Sequence, residues 1–341
     1  MERNSDSENG ENEELLEREI ESEDDSFLPF IIGKSWLGFV LCNQKSSILI
    51  VFINKSVLSI YSFPSPELLG CGQMTAAIIV LSFLKFIKKI DFPDHSIKVV
   101  KEIFPLPLLY LANMIFGLMS TKSLSLPMFT VLRRFSILMT MILEWFILKN
   151  EARRPIILAI AIMIGGALVA ALDDLAFDIA AYCFILLNDF FTASYGVFTK
   201  KKLNGKDLGK YGLMYYNSLC SLPLVLLISY SKDDFEKIAS FSEWANPMFI
   251  IQFVASCFMG FILMYSIILC TQNNSSLTTT VVGCMKNLFV TYFGMIFGHD
   301  YKFSMLNFVG INISVAGSLV YSYFAFKKPK ESSQTQPLLK R

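Results

Sequence analysis

Residues 276–297 read SLTTTVVGCMKNLFVTYFGMIF. The stretch is apolar and long enough to cross a bilayer as one helix, which takes roughly 20 residues. Lys286 and Asn287 nevertheless fall in its middle. At 1.5 Å per residue, Lys286 lies about 14 Å from the start of the helix, too deep for its ammonium to snorkel to a surface. An ionisable group at such depth is costly and faces a wet cavity or a partner.

The rest of the chain explains why that cost is accepted. Its 341 residues are 53% hydrophobic and 17% charged, with a mean hydropathy of +0.50. Soluble domains carry more charge and break their apolar runs sooner. Ten hydrophobic segments follow one another near 36–61, 67–86, 104–121, 125–148, 155–172, 178–199, 211–230, 247–270, 277–297 and 303–326. The pattern predicts an all-α polytopic membrane protein of ten transmembrane helices in a lipid bilayer. It lacks the short alternating segments of a transmembrane barrel. A net charge of +1 gives no field to attract nucleic acid. Seven cysteines stand singly in apolar segments without a CxxC pair, the pattern of small packing residues. His95 and His299 fall in loops, and no HExxH, Walker or nucleophile-elbow pattern occurs, so neither an enzyme nor a cofactor is expected.

Orientation follows from lysine and arginine in the short loops. With a cytosolic N-terminus, one side receives Lys85, Lys88, Lys89, Lys98 and Lys101, then Lys149, Arg153 and Arg154, then Lys200, Lys201, Lys202, Lys206 and Lys210, and last Lys327, Lys328 and Lys330. The other side holds only Lys122, Lys232, Lys237 and Lys302 among several acids. Both termini are therefore expected in the cytosol. Residues 1–34 read as a disordered acidic tail without a signal peptide, and Glu11–Leu16 within it fits an acidic dileucine sorting pattern. Residues 327–341 form a second polar tail after the ten-helix unit, 35–326. The polar run Asn43–Ser47 interrupts the first span and delays its start.

The opening stretch has a counterpart. Ser276-Leu277 aligns with Ser125-Leu126, an offset of 151 residues. Without a gap, the offset also pairs Val131 with Val282, Thr140 with Thr291, Ile160 with Ile311, Gly166 with Gly317 and Val169 with Val320. It lays spans four and five upon nine and ten. Because the shift is five spans, an odd number, the second copy is inverted in the membrane. Two inverted five-helix repeats, about 35–173 and 174–326, are expected, with a substrate site between them near the midplane, as in secondary transporters.

Six ionisable residues fall within spans: Lys55, Arg133, Arg134, Glu144, Asp189 and Lys286. Lys55 and Glu144 stand where they could snorkel. Four cations against two anions leave positive charge for an anionic ligand, even if Lys286 pairs with Asp189. Lysine and arginine both suit phosphate oxygens. Asn188, Tyr215, Tyr216, Asn217 and Thr279 add groups that can stack on a base or hydrogen-bond its edge.

The stretches INKSVL (53–58), FPSPELLGCGQM (63–74), LSLPMFTVLRRFSI (124–137), DDLAF (173–177), LNDFFTA (187–193), LGKYGLMYYN (208–217), MGFILMYS (259–266) and SLTTTVVGCMKN (276–287) together resemble the nucleotide-sugar transporters of the drug/metabolite transporter superfamily. The likeness is strongest to the Golgi and ER transporters of UDP-glucuronate, UDP-N-acetylgalactosamine and UDP-N-acetylglucosamine, and covers about residues 46–326. It implies exchange of a UDP-sugar for UMP by alternating access, in a Golgi or ER membrane. Where GDP-mannose carriers have FYNN, this chain has Tyr215-Tyr216-Asn217-Ser218; where they have GALNK, it has Gly283-Cys284-Met285-Lys286-Asn287. The inverted order of Lys and Asn resembles the UDP-sugar branch. The resemblance assigns the diphosphate to Lys286 with Arg133 or Arg134, the uridine to Tyr216, Asn217 and Asn188, and the sugar or ribose to Asn287. Lys55, Tyr215, Gly283 and Thr279 complete the expected site. A sugar-phosphate/phosphate exchanger of the same fold and a non-transporting membrane enzyme or scaffold are the alternatives. Oligomeric state stays open, a homodimer being one option.

Overall fold

A computed structural model describes residue 50 and residues 53–54, 56–123, 126–172, 178–205, 208–273, 275–280 and 304–326. All regular structure among these residues is helical. The long elements are α1 (Pro66–Phe86), the pair α2 (Ile97–Ile103) and α3 (Leu106–Ser123), the pair α4 (Leu126–Leu132) and α5 (Phe135–Leu143), and α6 (Arg154–Leu172). They continue with α7 (Ile179–Asn204), α8 (Gly209–Ser231), the short α9 (Asp234–Ala239), α10 (Pro247–Asn273) and α11 (Met305–Phe326). Five of them, α1, α6, α7, α8 and α10, are long and apolar enough to cross a membrane. A sixth span results if α2 and the front of α3, bent by 44°, count as one. The segment expected near 36–61 lies mostly outside the described residues, as does most of 277–297.

Local sequence sets the helix ends. Ser65 is extended and its hydroxyl accepts the Leu68 N–H at 3.2 Å, while Pro66 and Glu67 occupy the first turn of α1. Asp178 caps α7 through the Ala180 N–H at 2.9 Å. The segment expected as one span over 125–148 is instead interrupted at Arg133-Arg134. There Arg134 N–H turns back to the Val131 carbonyl at 3.1 Å, and Ile137 N–H to the Arg134 carbonyl at 3.1 Å. These tightened i→i+3 turns mark the break between α4 and α5, and the two arginines, as neighbours about 100° apart around the axis, face different surroundings.

α6 and α11 pack against each other along most of their length. They run antiparallel: Ala170 lies beside Asn307 and Gly310, Gly166 beside Gly310 and Ser314, and Gly317 beside Met163 and Ala159. A Cβ on Gly166 would lie 2.4 Å from the Ser314 nitrogen and 2.6 Å from the Gly310 oxygen. A Cβ on Gly317 would lie 2.7 Å from the Met163 nitrogen and 3.0 Å from the Ala159 oxygen. Adding 151 to Gly166 and subtracting it from Ser314 and Gly310 returns Gly317, Met163 and Ala159. The contact set thus maps onto itself, as in a two-fold pairing where residue i meets j and the copy of j meets the copy of i.

Both ends of the bundle carry polar ties. At one end Ser65 donates to Asp234 at 2.7 Å, Lys232 pairs with the buried Glu67, and Lys237 pairs with Asp234 at 3.0 Å. Two of the four basic residues expected on the sparsely charged side are thereby matched to acids. At the opposite end the loop after α1 folds back onto α8. Lys85 donates to the Phe92 carbonyl and to Asp94, each at 2.6 Å, and this contact holds the Asp94 carboxyl below its usual range. Buried Ile90 and Phe92 join a core with Ala77, Leu81, Leu213, Tyr216 and Tyr265.

Candidate functional site

Between α1, α3, α5, α7, α8, α10 and the helical turn 276–280 lies a cavity of about 430 Å³. That volume is within the range of small-molecule sites. Arg133 is its one charged wall residue among those described. The guanidinium sits over the Phe129 ring, 5.6 Å from the centroid, and has no acid within salt-bridge distance among the described residues. The carboxyl nearby, Asp189, is fully buried, and neither of its oxygens has a hydrogen-bond partner among the described residues.

Neutral polar groups fill much of the remaining wall. The Asn217 amide donates to the Tyr195 hydroxyl at 2.9 Å, and the Tyr195 and Tyr110 rings lie 6.1 Å apart. Asn217 Oδ1 is left without a partner among the described residues. Thr199, Thr271, Ser276, Thr279 and Thr280 surround one end, and Gln73 and Gly260 stand toward the other. This arrangement offers a cation for an oxyanion, and an amide beside two aromatic rings for a flat polar heterocycle.

The expected site residues separate under this geometry. Arg133, Asn217 and Thr279 share the cavity. Arg134 does not line it; the side chain is 3% exposed and donates to Ser314 and, at 3.3 Å, to Ser318 on α11. Tyr216 donates to the Pro93 carbonyl at 2.6 Å, and Tyr215 packs on Phe92 with its hydroxyl 3.5 Å from His95 Nε2. Both tyrosines therefore hold the loop after α1 against α8. Asn188 donates to the Asn113 carbonyl and side chain, and Thr192, one turn further along α7, donates to the same Asn113 oxygen. Thr192 reaches the cavity. Lys286, Asn287, Gly283 and Lys55 lie outside the described residues.

Glu144 does not reach a surface, where snorkelling would have put it. It is 4% exposed and accepts the backbone N–H groups of Ser276 and of Leu277, the latter at 2.9 Å. With the Ser275 hydroxyl accepting the Thr278 N–H at 3.0 Å, it caps the helix that begins at 276. Lys200 performs the complementary task on α10, donating to the Thr271 and Gln272 carbonyls at 2.9 and 2.8 Å. A carboxylate is stable there because four N–H groups at a helix start have no partner within the helix.

Sequence reasoning passed over Gln73, Tyr110, Ser136, Thr192 and Tyr195. Asn188, Thr192 and Tyr195 recur at helical spacing along one face of α7, a signal that was available. Gln73 gave none, since a single amide in an apolar span has no periodic partner.

Comparison with known proteins agrees with this picture. A family model described as Triose-phosphate Transporter family matches residues 37–322. The Drosophila melanogaster protein named UDP-sugar transporter UST74c is 50% identical over 294 residues, covering 86% of this chain and 79% of the relative. The human protein named Nucleotide sugar transporter SLC35D2 is 50% identical over 291 residues, covering 85% of each. A solved crystal structure superposes with a TM-score of 0.55 at 13% identity, over 86% of this chain and all of the other, a likeness of fold. The chain belongs to the Triose-phosphate Transporter family and, within it, to the nucleotide-sugar transporters. It is a membrane transporter and not an enzyme.

Proposed function

We propose that the protein carries UDP-sugars of the UDP-glucuronate, UDP-N-acetylgalactosamine and UDP-N-acetylglucosamine class from the cytosol into the Golgi or ER lumen, in exchange for UMP. Ten transmembrane helices in two inverted five-helix repeats (35–173 and 174–326), flanked by two cytosolic tails, form the carrier. The observation that carries the reading is the shared cavity: among the described residues it holds one guanidinium, one amide whose oxygen has no partner, and two aromatic rings. These groups match a phosphate, a pyrimidine edge and a pyrimidine face. The name of the Drosophila melanogaster relative, UDP-sugar transporter UST74c, supports the uridine nucleotide. The self-mapping contacts of α6 and α11 support the inverted repeat.

In this reading Arg133, with Lys286 on the span that opens at Ser276, neutralises the diphosphate. Asn217 and Tyr195 hold the uridine, Asn287 and Gly283 lie along the sugar and ribose, and Thr279 lines the path beside them. Tyr215, Tyr216 and Asn188 position the wall from behind, through Phe92, Pro93 and Asn113. UMP, smaller and dianionic, satisfies the same cation and base contacts, so one site serves both directions. The polar ties at opposite ends, Glu144 to the Ser276 and Leu277 N–H groups with Lys200 on the Thr271 and Gln272 carbonyls at one, and Ser65 with Asp234 and Lys232 with Glu67 at the other, are the contacts that alternate opening would break and re-form.

The test is thermal stabilisation of the purified full-length protein by a nucleotide panel. UMP and UDP-sugars are expected to raise the melting temperature, with GMP, inorganic phosphate and triose phosphate inert. Stabilisation by inorganic phosphate and triose phosphate alone would replace the reading with sugar-phosphate exchange.

A further inference from the structure

On the cavity wall, α1 contributes a residue with which the uridine and diphosphate contacts have not dealt. The Gln73 amide nitrogen donates to Asn54 Oδ1 at 3.3 Å and to Ser256 Oγ at 3.2 Å, and Ser256 itself donates to Asn54. The side chain is thereby fixed between the Asn54 segment and α10. Its nitrogen is engaged on both acceptors, so the carbonyl oxygen is the end left for a ligand. The seat is shaped for it: a Cβ on Gly260 would lie 2.6–2.8 Å from Gln73 Cγ, Cδ and Cβ. Any residue larger than glycine at 260 displaces the glutamine.

A nucleotide-sugar has three recognisable parts, with the diphosphate in the middle. Arg133 offers the oxyanion contact, and Asn217 with Tyr195 and Tyr110 the base contact. Among the described residues of α1 and α10, Gln73 is the polar side chain that combines a rigid hold with an uncommitted amide oxygen on the cavity. We propose that Gln73, seated on Gly260 and held by Asn54 and Ser256, is the sugar-specificity residue: its carbonyl oxygen accepts a hydroxyl or acetamido N–H of the sugar. This rests on the UDP-sugar/UMP reading above. UMP has no sugar beyond its ribose and so leaves Gln73 untouched. Specificity of this kind arises because a site built to hydrogen-bond a donor discriminates against ligands lacking it.

The experiment uses full-length protein in proteoliposomes loaded with UMP and measures KM for a UDP-hexose, a UDP-2-acetamidohexose and external UMP. Wild type, Gln73→Leu, Gln73→Asn and Gly260→Ala are compared. Expected for Gln73→Leu is a rise of about tenfold in KM for the UDP-sugars relative to that for UMP, the worth of one hydrogen bond. Gln73→Asn keeps the amide but retracts it by a methylene, and Gly260→Ala displaces it. Both are expected to change the ratio between the two UDP-sugars, and either stands in if the leucine variant fails to fold. A KM rise by one common factor for UMP and both UDP-sugars would overturn the proposal, as would unchanged ratios in all three variants. Wild-type vesicles that bind UMP yet take up no UDP-sugar would instead overturn the transport reading itself, and this inference with it.

Discussion

Arg133 and Arg134 are neighbours in sequence with opposite situations, one on the cavity and one buried against α11. Arg133 stands on the cavity wall, so under the proposed function Arg133→Ala removes a charge-assisted contact to phosphate. Such contacts contribute about 1.5–3 kcal/mol, so KM for both UDP-sugar and UMP is expected to rise by about ten- to a hundredfold in uptake assays, with the melting temperature of unliganded protein retained. Arg134→Ala should do the reverse. It strips α11 of a buried donor to Ser314 and Ser318, at a cost of about 1–3 kcal/mol, lowering the melting temperature while the surviving protein keeps its KM. A melting temperature lowered equally by both variants would contradict this division. The sequence showed that cations lay in span four; which one met the cavity depended on how that span is rotated against α7 and α11, set by packing between distant segments. Tyr216 illustrates the same limit. Its place in the motif was legible, but its hydroxyl is committed to the Pro93 carbonyl by a loop that folds back from elsewhere in the chain.

Among the elements, the α6–α11 pair depends on glycines where two backbones touch. Gly166→Ala would place a methyl 2.4 Å from a backbone nitrogen that cannot move without shifting α11. Overpacking of this kind costs about 1–3 kcal/mol, and the two-fold relation predicts a similar loss for Gly317→Ala, read as reduced melting temperature. Gly165→Ala, where a Cβ meets nothing within 4 Å, is the control and should be neutral or slightly stabilising. The capped helix start at 276 gives a second element-scale prediction. Glu144→Leu removes the acceptor for the Ser276 and Leu277 N–H groups and should cost about 0.5–2 kcal/mol, whereas Glu144→Gln retains an acceptor and most of the stability. Equal loss from both would mean that the negative charge, and not the cap, matters. Helix positions were largely readable from hydropathy, and α1, α6, α7, α8, α10 and α11 fall within a few residues of expectation. The partners of Glu144 and Lys200 were not, because a cap supplied from a distant span leaves no local trace in sequence.

The molecule as a whole is organised so that its costly residues face one cavity or one another. The exposed face of Arg133 and the Asn217 oxygen, which has no hydrogen-bond partner among the described residues, would be expensive in a protein built only for stability. Their concentration beside one space is what a carrier requires, and the 151-residue offset already pointed to a site between two halves. The most direct measurement of this carrier function is counterflow in proteoliposomes. Vesicles containing the full-length protein and loaded with UMP are expected to accumulate labelled UDP-sugar, empty vesicles to accumulate little, and Arg133→Ala vesicles to do so only at much higher substrate. Accumulation at the same rate with or without internal UMP, or accumulation untouched by Arg133→Ala, would contradict an antiporter working through this cavity.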